Sequence, residues 1–393
     1  MGKLTTFLIC LLPLLAGCSG ALSSKDPAKL ESRRKTTMEY FGTVCFAAVY
    51  DDFKSNAAPA RFEAAWREIT SMFAELDAAA SLSKPDSDIS RFNAARGGES
   101  VRISPLTADI LGAAKRLYEF SGGAFNPAVE NLVDLWGFSP RFRNGNNTPR
   151  PYDRPLQADG SIPLPAGRYV EAFRKLSDFS LVTLSGDAKS GYLLTKGAED
   201  IVVDGVAYSL KIDLGGIAKG YGAQKAGDIL KARGYAYGYV NLGMSSLKLL
   251  KRTVSEEGAP SPFMWSVAIS NPDDRSRTFL TMFGKDTGVS TSGTYDVHYL
   301  MGGRDYSHII DPATGEPTRS DVLSVTVLGS DACADDAIST ALCVMGSRKA
   351  KAFIDSSLKD CQVAMICRGA SGGLDLVTNN PKGSYIVHED NLK

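Results

Sequence analysis

Residues 217–249, IAKGYGAQKAGDILKARGYAYGYVNLGMSSLKL, pass from helix to sheet with almost no loop between them. Helical character runs over 217–233 and ends at Gly234, a residue that takes the left-handed cap without steric cost. Strands dominate from 237 to 282. Outward toward the N-terminus, 181–184, 191–194 and 207–210 are rich in apolar and β-forming residues and read as short strands. Before them, 61–80 carries Phe62, Trp66, Ile69, Phe73 and Leu76 at helical spacing, an amphipathic helix with one buried stripe. A further helix is predicted over 105–120, where Leu106, Ile110, Ala114 and Leu117 share a face, and a strand over 41–50. Toward the C-terminus come a strand at 322–328, adjacent helices at 334–345 and 348–358, and a strand at 363–368. Strands and helices do not alternate strictly, so the pattern predicts an α+β protein rather than a doubly wound parallel sheet.

The composition agrees with a folded enzyme-sized body. Forty-four Lys and Arg balance 44 Asp and Glu, which removes the electrostatic basis for non-specific nucleic-acid binding. A hydrophobic fraction of 44% in 393 residues is enough for a sizeable core and excludes wholesale disorder. Residues 139–168 are dense in Pro, Asn, Arg and Gly and read as a long surface insertion.

The first residues differ from the rest. Lys3 precedes a nearly all-apolar run over 4–15 that is too short to span a bilayer, which takes about 20 residues. It closes on Leu15-Ala16-Gly17-Cys18, which resembles a bacterial lipobox, with Cys18 as the lipidated residue; a plain secretory peptide is the alternative. The expected division is a signal peptide over 1–17, a polar tether over 18–36, a folded body over 37–368 and a C-terminal tail over 369–393. Apart from Cys10 within the expected signal peptide, five further cysteines, Cys45, Cys333, Cys343, Cys361 and Cys367, follow no zinc spacing. An exported chain permits disulfides, with Cys361 and Cys367 the nearest pair, while Cys45, Cys333 and Cys343 read as small buried hydrophobes.

Four segments hold more glycine and polar residues than packing requires. Asp213-Leu-Gly-Gly-Ile-Ala-Lys-Gly220 is a glycine bend opening a helix, where backbone N–H groups, the helix dipole and Lys219 favour an anion. Its spacing is not that of a Walker A loop. In Asp336-Ala-Ile-Ser-Thr-Ala341, Asp336 and Thr340 share a helix face and offer hard oxygen ligands that suit Mg²⁺. By itself such a pair is more often a first-turn charge and a hydroxyl bonded to its own helix. His308, one of three histidines, precedes the turn Asp311-Pro-Ala-Thr-Gly315 and is a candidate base, or simply a hydrogen-bonded histidine. The segment 121–138, with SGGAFNPAV and LWGF, can hold a flat ring or fill a core.

Taken in order, SDISRFN (87–93), GAFNPAV…LWGF (123–138), DLGGIAKGY (213–221), STSGTY (290–295), SHIIDPATGEP (307–317) and DAISTALCVMG (336–346) together resemble the ApbE family of Mg²⁺-dependent FAD:protein FMN transferases, commonly bacterial lipoproteins. The resemblance runs over 37–368. It implies an ApbE-like fold of mixed and antiparallel sheets flanked by helices, with a T-fold-like core. It also implies metal ligation by Asp336, Thr340 and the carbonyl of Gly216, FAD contacts at Phe41, Ser83, Ala124, Phe125, Asn126, Asp213, Lys219 and Ile310, and a catalytic role for His308. Phe41 stands where the family usually has Met, Asn126 where it has Asp, Ser83 where a tyrosine often lies beside the flavin, and Met244 within a usual Gly-Gly pair. The implied reaction moves FMN from FAD to a Thr or Ser hydroxyl of an exported or membrane redox protein with release of AMP. Hydrolysis of FAD to FMN and AMP, and flavin binding without turnover, are the alternatives. The implied location is the cell envelope, the folded body lying in the periplasm on a lipid anchor.

Overall fold

The computed structural model describes residues 26–55, 57–139, 164–301 and 303–388. Its main sheet has eight strands: β1 Glu31–Thr37, β2 Cys45–Asp51, β3 Gly238–Leu242, β4 Ser246–Leu249, β5 Gly288–Gly293, β6 Val322–Leu328, β7 Gln362–Arg368 and β8 Leu374–Thr378. Their order in space is their order in the chain, and every neighbouring pair is antiparallel. The sheet is therefore one meander with the remaining elements inserted into its turns.

Helices α1 Ala57–Ala80, α2 Asp88–Ala94, α3 Pro105–Phe120, α4 Glu130–Trp136, α5 Gly167–Leu176 and α6 Ala218–Ala232 lie between β2 and β3 in sequence, and α7 Ala332–Ser357 between β6 and β7. Local sequence explains their starts. Ser104 accepts the Thr107 amide at 3.2 Å ahead of Pro105, and Asp331 accepts the Cys333 amide at 3.0 Å, each meeting a donor that the first helical turn leaves open. Gly346, at φ 74°, interrupts α7, so the two adjacent helices predicted there are two limbs of one element.

Period-two alternation assigns the two faces of the meander. Ser246 and Lys248 point toward α6 and α7, while Leu249 and Val289 meet Phe279, Leu280 and Met282 of a three-stranded sheet (Trp265–Ser270, Thr278–Gly284, Tyr385–Val387) on the other side. The stripe predicted on α1 is buried at Phe62, Ile69, Phe73 and Leu76, with Trp66 half-buried beside it. A second body of core gathers α2 to α5 with the small sheet Ser100–Ile103, Val182–Asp187 and Gly191–Lys196.

Several expectations are corrected. The strand predicted over 41–50 starts only at Cys45, because Phe41 and Gly42 (φ 58° and 62°) form a left-handed turn. Residues 31–36 of the expected tether are paired as β1, and the expected tail contributes β8 and the strand Tyr385–Val387. The strand read at 207–210 ends at Tyr208. Gly167 and Arg168, read as insertion, open α5, while 140–163 lie outside the described residues, as do the signal peptide and Cys18. Cys361 and Cys367 are not bridged; all five cysteines of the described residues are free thiols, and Cys45, Cys333 and Cys343 are buried as expected. Among the described residues no helix is long and apolar enough to cross a membrane.

Candidate active site at the glycine bend

The bend over residues 213–217 is built by short local bonds. Asp213 Oδ1 accepts the Gly215 amide at 2.7 Å, and the Ile217 and Ala218 amides return to the Leu214 carbonyl at 3.1 and 2.8 Å. The Asp213 amide donates to the Pro127 carbonyl at 2.8 Å, which ties the bend to the segment that carries Ala124, Phe125 and Asn126. α6 then begins with no side-chain cap of its own.

The missing partner comes from α7. Asp336, 4% exposed, accepts the Gly220 amide on Oδ2 at 2.9 Å, while its Oδ1 accepts from Ser246 of β4 at 3.3 Å. Glycine is required here: a Cβ at position 220 would lie 2.2 Å from the Ala332 carbonyl oxygen. Four residues on, Thr340 Oγ1 lies 3.1 Å from Ser292 Oγ and 3.3 Å from the Asp336 carbonyl. Gly216 faces both neighbouring motifs, since a Cβ there would sit 3.4 Å from Phe125 Cε2 and 3.6 Å from Thr340 Oγ1. Three segments separated by up to about two hundred residues thus meet at one bend.

The donor set fits a hard divalent cation. It offers the Asp336 carboxylate and the Thr340 and Ser292 hydroxyls beside the Gly216 backbone, and among the described residues there is no cluster of three or more His, Cys, Asp or Glu side chains that would mark a softer or wholly protein-ligated metal. Asp336 spends two of its roughly four acceptor positions on the protein and keeps the others.

Lys219 stays close to the bend, its Nζ donating to the Gly215 carbonyl at 3.2 Å; burial raises the carboxyl of Asp296, against the charges of Arg275, its partner at 3.1 Å, and of Lys219. Asp296 precedes Val297, whose carbonyl accepts the His308 amide at 2.9 Å and lies 3.2 Å from His308 Nδ1. A ring nitrogen facing a carbonyl carries the proton, which leaves Nε2 as the basic nitrogen. Ile310, on the two-residue strand Ile310–Asp311, is buried beside this histidine turn.

Other predicted residues stand differently. Asn126 uses its amide within the protein, accepting from the Ala128 amide and donating to the Ser177 carbonyl, each at 2.8 Å. Phe41 packs edge-on against Phe73 of α1 at 5.6 Å between ring centres. Ser83 is exposed and borders a separate cleft of about 600 Å³ that includes none of Asp336, Thr340, Gly216, Lys219 and His308 in its lining. The aromatic run LWGF fills core: Trp136 stacks on Tyr306 at 5.7 Å, Tyr306 on Tyr299 at 5.5 Å, and Trp136 Nε1 donates to the Gly315 carbonyl at 2.8 Å.

Ser246, Ser292, Asp296 and Glu130 were not singled out as site residues by sequence reading. Ser292 lies inside STSGTY, where a hydroxyl on the inward phase of a strand was the available signal. Glu130 is 5% exposed, and burial, followed by the charges of Asp213 and Asp134, holds its carboxyl well above the usual carboxylate range, against a bond from Ser139 and the charge of Lys211. An acid immediately before the apolar stretch of α4 was its signal.

Known proteins share this arrangement of elements. A profile of the ApbE family matches residues 41–365. The FAD:protein FMN transferase of Vibrio cholerae is 30% identical over 292 residues, covering 74% of this chain and 76% of that protein. That of Treponema pallidum is 29% identical over 349 residues, covering 88% and 86%. The solved flavin transferase ApbE from Vibrio cholerae superimposes with a TM-score of 0.69 at 26% identity over 90% of this chain and 98% of that one. The apo form of the Pseudomonas stutzeri flavinyl transferase ApbE gives 0.68 at 26% identity, covering 89% and 94%. A match across most of the described body, carried by sequence and by fold alike, makes this chain a member of the ApbE family.

Proposed function

We propose that the chain is a Mg²⁺-dependent FAD:protein FMN transferase that moves FMN from FAD to a Thr or Ser hydroxyl of an acceptor protein and releases AMP. The observation that carries this reading is the meeting of the glycine bend with α7, at the Gly220–Asp336 bond and the Gly216–Thr340 approach. The names of the relatives support the same activity. The bend and Lys219 receive the pyrophosphate of FAD, whose charge must be offset before an oxygen nucleophile can approach phosphorus. Asp336, Thr340 and the Gly216 carbonyl would hold Mg²⁺, which when bound supplies further charge neutralisation on the phosphates. The acceptor hydroxyl attacks the FMN-side phosphorus, its proton passes to His308 Nε2, and the bond from that phosphorus to the AMP oxygen breaks. One phosphoester forms as one anhydride is lost.

Incubation of the protein with FAD, Mg²⁺ and a threonine-bearing target peptide, followed by mass spectrometry, tests this. A peptide adduct of FMN with an equal amount of AMP is expected. Free FMN and AMP without adduct would make the protein an FAD pyrophosphatase, and bound FAD with no AMP would make it a flavin-binding protein. We further infer that Cys18 is lipidated after removal of 1–17 and that the body works in the periplasm, where the acceptor is an exported or membrane redox protein; the Leu-Ala-Gly-Cys sequence supports this.

A further inference from the structure

Asn93 closes the segment SDISRFN, whose part in the chemistry the phosphate site leaves open. It stands near the end of α2, half-buried, and its side-chain amide faces the backbone of Ile212, at the entrance to the glycine bend. Asn93 Nδ2 donates to the Ile212 carbonyl and Asn93 Oδ1 accepts the Ile212 amide, each at 2.8 Å. The side chain thus pairs with the backbone of one residue as a neighbouring strand would. Residues 209–214 belong to no strand, so this stretch has no ladder bonds to hold it and depends on such partners.

Peptide planarity carries this grip into the bend. The Ile212 carbonyl and the Asp213 amide are parts of one rigid unit, and the Asp213 amide donates to the Pro127 carbonyl at 2.8 Å. That unit is therefore held at both edges, and the unit before it is held at the Ile212 amide. The two soft dihedrals of Ile212, a wholly buried residue, are set in this way. With them is set the direction in which the chain enters the bend, where the Asp213 carboxylate receives the Gly215 amide.

α2 is itself anchored at both ends. In its first turn Asp88 accepts the Ser104 amide at 2.8 Å. At its other end Lys196, wholly buried on the strand Gly191–Lys196, donates from Nζ to the Asn93 carbonyl at 3.3 Å and the Ala95 carbonyl at 2.6 Å. A buried ammonium is costly unless its donors are met, and here the open carbonyls at the end of the helix meet them. Burial pulls Lys196 down to about 8, so it keeps its proton at neutral pH and goes on donating. We propose that Asn93 is a positioning residue for the transfer: through the backbone of Ile212 it fixes the pose of the bend that receives the pyrophosphate. This rests on the phosphate-site reading of the preceding section.

The test is the initial rate of AMP release from FAD by the full mature chain, with Mg²⁺ and the threonine peptide, for wild type, Asn93→Ala, Asn93→Asp and Asn379→Ala. Asn379 is the control. Its amide likewise holds backbone, accepting the Val363 amide at 2.9 Å and donating to the Leu358 and Cys361 carbonyls at 3.1 and 2.9 Å, but it makes none of the bonds of the bend. Asn93→Ala should raise the KM for FAD about tenfold or more, the size of two lost hydrogen bonds, and raise the inhibition constant of ADP, which carries a pyrophosphate, by a similar factor. Asn93→Asp keeps the acceptor and loses the donor, so it should raise both constants too, and it decides alone if the alanine variant does not fold. Asn379→Ala should lose stability in urea and leave both constants as in wild type. A role in folding alone would lower kcat, through the amount of active protein, without moving KM. Unchanged constants in the Asn93 variants, or an equal rise in Asn379→Ala, would therefore overturn this inference alone. Absence of AMP release by wild type would overturn the transfer reading with it.

Discussion

Gly220→Ala tests the contact on which the site is built. The new methyl carbon would start 2.2 Å from the Ala332 carbonyl oxygen and 2.6 Å from Asp336 Cβ. Neither atom is the end of a flexible side chain, so α6 must move away from α7. Overpacking of this kind costs about 1–3 kcal/mol. The shift also stretches the Gly220 N–H bond to the Asp336 carboxylate, and hydrogen bonds to charged groups contribute about 1.5–3 kcal/mol. Alanine recovers about 1 kcal/mol of helix propensity. The expected net destabilisation is about 1.5–5 kcal/mol. Gly222→Ala, two residues along the same helix, has the same propensity gain, but its nearest atoms are Leu242 Cδ2 at 3.0 Å and Leu76 Cδ2 at 3.2 Å, ends of side chains that can rotate. It should stay within about 1 kcal/mol of wild type. Urea unfolding followed by tryptophan fluorescence reads both. A Gly220→Ala protein no less stable than Gly222→Ala would refute the close packing of bend and α7.

Three further outcomes follow from the geometry. Met244 holds φ 62° in the turn between β3 and β4, so Met244→Gly should relieve left-handed strain of about 1–2 kcal/mol, less the entropy glycine adds to the unfolded chain, for a gain of up to about 1 kcal/mol in urea unfolding. Trp136→Phe removes the donor to the buried Gly315 carbonyl and should cost about 1–3 kcal/mol in the same assay. Glu130→Gln should raise the thermal midpoint at pH 8 relative to wild type and change it little at pH 4. The folded-state pKa of Glu130 is raised, so its contribution to stability is complete below the unfolded carboxyl value and is lost as pH rises toward the folded one. Thermal melts across that window check it.

What the sequence revealed followed short-range physics. The α1 stripe, the apolar face of α3 from Pro105 and the glycine stop of α6 are local signals, and each appears where the spacing put it. The sequential meander was not legible, because pairing of β2 with β3 spans about 190 residues and no local pattern encodes it. The polar character of β1, ESRRKTT, disguised a strand as tether: an edge strand can keep charged side chains in water. In the site, Asp336 and Thr340 were legible as one helix face, but Ser246 and Ser292 were not, since their contact with that helix depends on the register of β4 against β5. Asn126 was named as an FAD contact only through the family resemblance, and its side-chain bonds to Ala128 and Ser177 are not local signals that the sequence displays.

The proposed transfer requires Asp336 on α7 and the bend at the start of α6 to work as one phosphate and metal site. Asp336→Asn tests it most directly, because it keeps the size of the side chain while removing the charge. AMP released from FAD, measured against Mg²⁺ concentration with the threonine peptide present, should rise with metal for wild type and stay at background for the variant at every concentration. Release by Asp336→Asn at the wild-type rate, with the same dependence on Mg²⁺, would contradict the claim.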